Sequence, residues 1–331
     1  MSKRLNARKV TTVPRLRNPA GLQVLIAAAV CLQVCCGATC IPKRSLSEFQ
    51  PPIIFDTPPE LPELAAAINR SSAIQQLSSP AVTVRLPDVP ALSATLDWQR
   101  DTNFRMKGGV SRLTGTDFDL GSNPNIFWMS SRHDLQPTLY YARHDQFASQ
   151  MQRQVLPVSP LWLVEALGVV TLNPDLVTEV PQQAPDGLIR IASTVPSPIG
   201  SYRRTLHVDP KAGIVRQILL NDPSGRLLAS ALLSEHQYYS AVQTSLPHRS
   251  EVQLMPIGGA PLALQLEVGF YRVNEDAEID PQKFASPPPD GFRIVDLAGL
   301  NAGSPSAVQM PGYQAAAPAP SPAYRGVELT R

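Results

Sequence analysis

The chain has 331 residues, with 29 Lys and Arg against 27 Asp and Glu, and a formal net charge of +2. That even balance does not suggest a nucleic-acid-binding surface, which would gather basic residues on one face. Of the 34 prolines many crowd between Ile41 and Pro90 and beyond Ser286, which leaves roughly 220 residues for one domain with a sizeable core between less ordered ends.

The N-terminus reads as an export signal. Lys3, Arg4, Arg8, Lys9, Arg15 and Arg17 form a basic start, and an apolar run follows over residues 20–34. The run is short for a membrane span and has the anatomy of a secretory signal, so the first 36 residues are assigned to it. All four cysteines, Cys31, Cys35, Cys36 and Cys40, stand at the end of this run. The body therefore has neither a disulfide framework nor a cysteine nucleophile. A cysteine just after an apolar export segment resembles the lipobox of bacterial lipoproteins, in which a Leu precedes by three residues the Cys that is acylated. Leu32-Gln33-Val34-Cys35 supplies the Leu but not the small residue before the Cys, whereas Cys36 has the small residue but not the Leu. The candidate anchors are Cys35 and Cys36, with Cys40 behind them. The alternative is that all are discarded with the signal.

Residues 37–62 read as a Pro-rich tether. From 63 to 77 Leu64, Ala67, Ile68, Ile74 and Leu77 fall near helical spacing and predict an amphipathic helix lying across a sheet. Residues 81–86 (AVTVRL) read as a strand. Five short runs with two-residue alternation follow, TLDWQ, NFRMKG, TDFDLGS, NIFWMSS and TLYYARH, separated by Asp, Asn, Gly, Ser or Pro. They predict an antiparallel meander with one greasy and one wet face. Asp117 and Asp119 fall on the wet face as solvated residues. A calcium loop is not supported, because Gly121 and Trp128 occupy its fifth and twelfth positions.

The period then changes. Residues 145–154 predict one short helix. Ser159-Pro160 opens a second, LWLVEALG, with Gly168 as its stop. Six further strand runs occupy 187–193, 202–208, 214–220, 227–237, 249–255 and 262–273. The clearest hairpin is the Asn221-Asp222-Pro223-Ser224-Gly225 turn. One last short segment lies in PPPDGFRIVDL. Residues 298–331, rich in Ala, Pro, Ser and Gly, read as a disordered tail. The fold class is thus mainly β (α+β), with about eleven or twelve strands.

Three stretches carry a family resemblance: NFRMKG (103–108), NIFWMSSRHDLQPTLYYARHDQF (125–147) and VGFYRVNEDAEIDPQKFASP (268–287). With the order signal, helix, meander, two helices, hairpins, they resemble the LolA/LolB-like superfamily of lipoprotein-sorting carriers from Leu64 to Asp296. The resemblance implies an unclosed antiparallel half-barrel over residues 63–297, with helices on its concave face. It also implies acyl chains of a lipid or lipoprotein as the ligand. The tether and tail depart from the family pattern.

No catalytic motif is present: there is no nucleophile elbow, zincin helix, Walker loop or dinucleotide fingerprint. His133-Asp134 and His144-Asp145 lack a third metal ligand. No catalytic residue, metal or cofactor is assigned. Phe104, Met106, Phe127, Trp128, Tyr140 and Trp162 form an aromatic-rich set with two readings, ordinary core or the lining of an apolar groove. The sequence thus predicts a non-enzymatic envelope lipoprotein, held to the membrane by its N-terminal lipid on the periplasmic side, with the outer membrane favoured. It would bind an apolar ligand in its groove. The alternative is a structural or interaction lipoprotein with a filled core and no ligand.

Overall fold

Alternating apolar residues dictate a sheet, and the computed structural model shows one, describing residues 49–110, 116–132, 136–149, 156–198, 200–275 and 280–299. Six strands form a first meander: β1 (Gln76–Arg85), β2 (Leu92–Gln99), β3 (Asn103–Gly109), β4 (Phe118–Ser122), β5 (Ile126–Ser131) and β6 (Thr138–Arg143). Seven form a second: β7 (Gln182–Gln183), β8 (Ile189–Val195), β9 (Tyr202–Val208), β10 (Val215–Asn221), β11 (Leu227–Tyr239), β12 (Thr244–Leu254) and β13 (Leu262–Val268). The short β14 (Arg272–Val273) and β15 (Arg293–Asp296) follow. All twelve expected runs hold strands, the last of them, 262–273, broken at 269–271 into β13 and β14. The two-residue β7 was not expected, and β15 is the late segment.

The strand order is β15-β6-β5-β4-β3-β2-β1-β13-β12-β11-β10-β9-β8-β7, with β14 also on β1. Among the described residues the sheet is unclosed and antiparallel, except that β15 pairs parallel with β6. The two meanders meet where Val82 faces Val268 and Arg85 faces Gln265. On that side β1 changes partner, from β13 to β14 beside Leu77. Its register with β2 slips between Ser79 and Val82. Pro80, which has no N–H to give a ladder, sits at this break, where a strand tolerates proline.

The predicted opening helix is shorter than its periodicity suggested. Helix α1 (Leu61–Ile68) begins at a capping box in which the Glu63 carboxylate accepts from the Glu60 N–H at 2.9 Å. Asn69–Ala73 then tightens into a 3-10 turn, and β1 begins at Gln76. The extension to Leu77 fails because Asn69 and Ser71 spend their side chains on distant backbone groups, as such residues do outside helix interiors. Helix α2 (His144–Ala148) and helix α3 (Trp162–Ala166) are both five residues long. Gly168 follows α3 at φ +89°. Its Cβ, if present, would lie 2.4 Å from the Pro247 ring, so glycine also lets the chain lie directly on β12.

The NDPSG hairpin is as expected. Asp222 accepts from the backbone N–H groups of Ser224 and Arg226 at 2.9 and 3.0 Å, and Gly225 adopts φ +87°. Before α1, in the stretch read as a tether, the Ile54 and Phe55 N–H groups donate to the Lys211 carbonyl at 2.9 and 3.1 Å. The signal, Cys31, Cys35, Cys36 and Cys40, His133, Asp134, residues 150–154 and the tail from 300 onward lie outside the described residues. No described helix is long and apolar enough to cross a membrane.

Candidate functional site

Register decides which side chains share a face. Along one row, Ala142, Phe127, Ser122, Phe104, Trp98 and Leu77 stand opposite one another in successive strands. A neighbouring row runs Tyr140, Met129, Leu120, Met106 and Leu96. This inner face continues into the second meander through Leu206, Ile218, Ala231, Val252 and Leu266. It forms one apolar cluster with α1 and α3. Phe104, Met106, Phe127 and Tyr140 are all at most 5% exposed within it. Phe127 meets Phe147 of α2 edge to face, centroids 4.8 Å apart. Trp162 of α3 joins the cluster from the opposite side, and its indole N–H is buried without a partner.

Trp128 does not belong to this set. It follows Phe127 directly, and successive residues of a strand point to opposite faces. Strand parity in NIFWMSS thus separates Trp128 from Phe127, whereas residue type alone groups them. Trp128 packs instead on the outer face, over Gly121 and beside Arg105. Its Nε1–H donates to Asp119 at 3.2 Å. Asp119, expected to be solvated, is 5% exposed and takes a two-pronged ion pair from Arg105. The cause is a distant segment: the 3-10 turn Pro281–Phe284 crosses this face. The Lys283 carbonyl accepts from Arg105 at 2.8 Å, and Phe284 is buried.

The inner face is covered by α1, the turn after it and the crossing segment 156–172. A few polar pins fasten these pieces. The Asn69 amide exchanges two hydrogen bonds with the Leu172 backbone at 2.8 and 2.7 Å. The Ser71 and Ser250 hydroxyls donate to the carbonyls of Val170 and Ala166, at 2.5 and 2.6 Å. From β9, Arg204 reaches up to Glu165 of α3 at 2.9 Å and to the Thr171 carbonyl at 2.7 Å. Burial pushes the Glu165 carboxyl above its ordinary range, against the pull of the Arg204 charge. Sequence reasoning missed this pair. The signal was present in YRRTLHV, where Arg204 stands in alternation with Tyr202, Leu206 and Val208.

Beside α1 the cover leaves a hollow of about 30 Å³, lined among others by Ile54, Ala67, Ile68, Gly213, His236 and Tyr238. Ligand pockets for drug-sized molecules run to about 300–1,000 Å³. His236 is satisfied there: its Nε2 meets the Val215 carbonyl at 3.1 Å and its Nδ1 meets Arg216 at 3.2 Å. His144 turns Nε2 toward the Asn123 carbonyl at 2.9 Å. Among the described residues no cluster of His, Cys, Asp or Glu could hold a metal.

No family model and no curated protein matches the chain. It is similar to a number of solved structures, three of which follow. One is a LolA-superfamily protein from Nitrosomonas europaea, 11% identical, TM-score 0.42, over 69% of this chain and 98% of that one. Another is a domain named for outer membrane lipoprotein sorting, from Vibrio parahaemolyticus, 9% identical, TM-score 0.43, over 67% and 95%. The third is a DUF1329 family protein from Desulfovibrio piger, 12% identical, TM-score 0.43, over 67% and 97%.

Proposed function

We propose that the chain is a non-enzymatic, exported envelope lipoprotein that holds an apolar ligand, an acyl chain of a lipid or lipoprotein, between the inner face and the crossing segment. The observation that carries this is the contrast between face and cover. The face is continuous and apolar across both meanders, while the cover is an eight-residue helix, a five-residue helix and irregular chain. Each neutral pin contributes about 0.5–1.5 kcal/mol net, a strength typical of elements that open locally. An acyl chain of about fourteen methylenes, at roughly 0.8 kcal/mol each, offers about 11 kcal/mol of burial. That exceeds the loss from re-exposing Trp162 and Leu163 alone, at roughly 1.5–3 kcal/mol each. It does not exceed the loss from lifting the whole segment, whose Leu156, Val158, Val164, Leu167, Val170 and Leu172 are buried as well. Those side chains must therefore stay against apolar surface while α3 gives way. Binding in this reading is an exchange of the cover's side chains for the ligand's chain, over Phe104, Met106, Phe127 and Tyr140.

The rest of the assignment follows the sequence. Residues 1–36 are the signal, 37–62 the tether, 63–297 the binding domain and 298–331 the tail, with the lipid on Cys35, Cys36 or Cys40 and the domain on the periplasmic side, favouring the outer membrane. A specific observation supports the second reading, a structural lipoprotein: the hollow of about 30 Å³ and the deep burial of the inner-face aromatics. Mass spectrometry of lipids extracted after native purification separates the two. Stoichiometric acyl lipid is expected, and none at all would leave the structural reading. Radiolabelled palmitate incorporation in the Cys35→Ser, Cys36→Ser and Cys40→Ser variants identifies the anchor; label that persists in the triple variant would remove it.

A further inference from the structure

Resting on the reading above, we propose that the ligand is an anionic amphiphile, a long-chain carboxylate, whose head group binds Arg204 in the place Glu165 now occupies. Arg204 is 8% exposed and belongs to the sheet, in the row of Tyr202, Leu206 and Val208 that faces the cover. Both of its side-chain partners, Glu165 and the Thr171 carbonyl, belong to the crossing segment. Displacing α3 and the chain that follows it removes both at once and leaves a guanidinium bare on an apolar face. A charge buried without its partner is strongly unfavourable, so whatever replaces the cover must bring a negative group. The other pins differ in kind. Asn69, Ser71 and Ser250 bond backbone groups and are neutral, and water can satisfy them when the cover leaves.

The pair is also incompletely made. Glu165 contacts Arg204 through Oε1 only, while its Oε2 and the Arg204 Nε are each buried with no hydrogen-bond partner. The Glu165 side chain is 27% exposed overall, yet the oxygen left over is the sheltered one. One helical turn away the Trp162 N–H, in a residue 9% exposed, is buried and unpaired as well. A guanidinium is built to take a carboxylate with two parallel bonds. A free carboxylate, not tethered to a five-residue helix, can use the donor that Glu165 leaves idle. Glu165 is in this sense a built-in competitor. Burial raises its carboxyl above the ordinary range, which weakens its hold in favour of an incoming anion. A neutral ester of the same chain length offers equal apolar area but no charge. The site should therefore select acids over esters.

The test uses the full chain kept in amphipol and labelled by a diazirine-bearing palmitic acid, with unlabelled palmitate and methyl palmitate as competitors. Palmitate should compete about thirtyfold better or more than the ester, as expected where a buried charge is left unpaired. Arg204→Met should abolish that preference, and Glu165→Gln should strengthen palmitate competition while leaving the ester unchanged. Circular dichroism melts check that the variants fold. If Arg204→Met does not, the acid-over-ester ratio of the natural chain and the Glu165→Gln shift still decide. Equal competition by acid and ester would overturn the charge selection and leave apolar binding standing. No labelling at all would overturn the binding reading and this inference with it.

Discussion

The two meanders share one apolar inner face and differ on the other side. In the second, the outer face and its margin carry exposed ion pairs: Arg190 and Arg203 with Glu179, Arg249 with Glu251, and Arg85 with Glu267 across to β1. In the first, the outer face holds a dry patch, Trp128, Gly121, Arg105 and Asp119, where the 3-10 turn Pro281–Phe284 crosses, while Lys107 and Arg143 beyond it stay exposed. Ion pairs in these two settings have the same chemistry and different consequences. A pair that stays in water contributes little, since each partner is nearly as well solvated alone. A pair held at 15% and 7% side-chain exposure cannot lose one member without stranding the other.

The largest effect should come from breaking the dry pair. Asp119→Ala is expected to destabilise the domain by about 3–5 kcal/mol in urea unfolding, because Arg105 and the Trp128 N–H lose their acceptor together. A change below about 1 kcal/mol, the range of exposed pairs, would show that the outer face of the first meander is wet after all. Next comes a pH effect confined to the second meander. Burial and the Arg216 charge lower the pKa of His236 from 6.5 to about 4. The unfolded chain takes up a proton below about pH 6.5 while the fold refuses it until about pH 4, so stability is full above that window and falls by about 3 kcal/mol across it. His236→Gln should flatten this slope in pH-dependent melts. An unchanged slope would assign the acid sensitivity elsewhere.

Gly121→Ala ranks third. Its new methyl would meet the Trp128 ring at 2.2 Å, and overpacking of this kind costs about 1–3 kcal/mol. A near-UV circular dichroism change at the tryptophan bands should accompany the loss, and an unperturbed band would place the ring elsewhere. Smallest is Glu251→Gln on the open face, expected to shift stability by at most about 0.5 kcal/mol and to vanish in high salt. A shift as large as that of Asp119→Ala would erase the distinction between the two meanders.

The same distinction explains what the sequence could disclose. The ladder itself was legible, because TLDWQ, YRRTLHV and IVRQILL alternate and NDPSG is a turn by its own chemistry. So was the stop at Gly168, which needs only local backbone geometry. The outer cover beside Arg105 was not, because Lys283 arrives from more than a hundred residues away and nothing in NFRMKG or FDLGS encodes its approach. The start of β1 was hidden by a competing signal. Ile74 and Leu77 continue a helical stripe, and only the distant Leu172 and Val170 backbone groups draw Asn69 and Ser71 out of it. Among the candidate site residues, five share the inner cluster because the type-based grouping agreed with strand parity or, for Trp162, with the face of α3. Arg204 and Glu165 went unnoticed since a charged residue in a strand reads as solvent-facing until its neighbours in space are known.

The central seam has a consequence for how the chain acquires its structure. Val82 is hydrogen-bonded into register with Val268, so the strand that completes the middle of the sheet is among the last to be made. Each ladder can zip up from its own hairpins, but the join between them must wait until β13 has followed β1 and everything between them. Contacts of such long sequence separation form slowly.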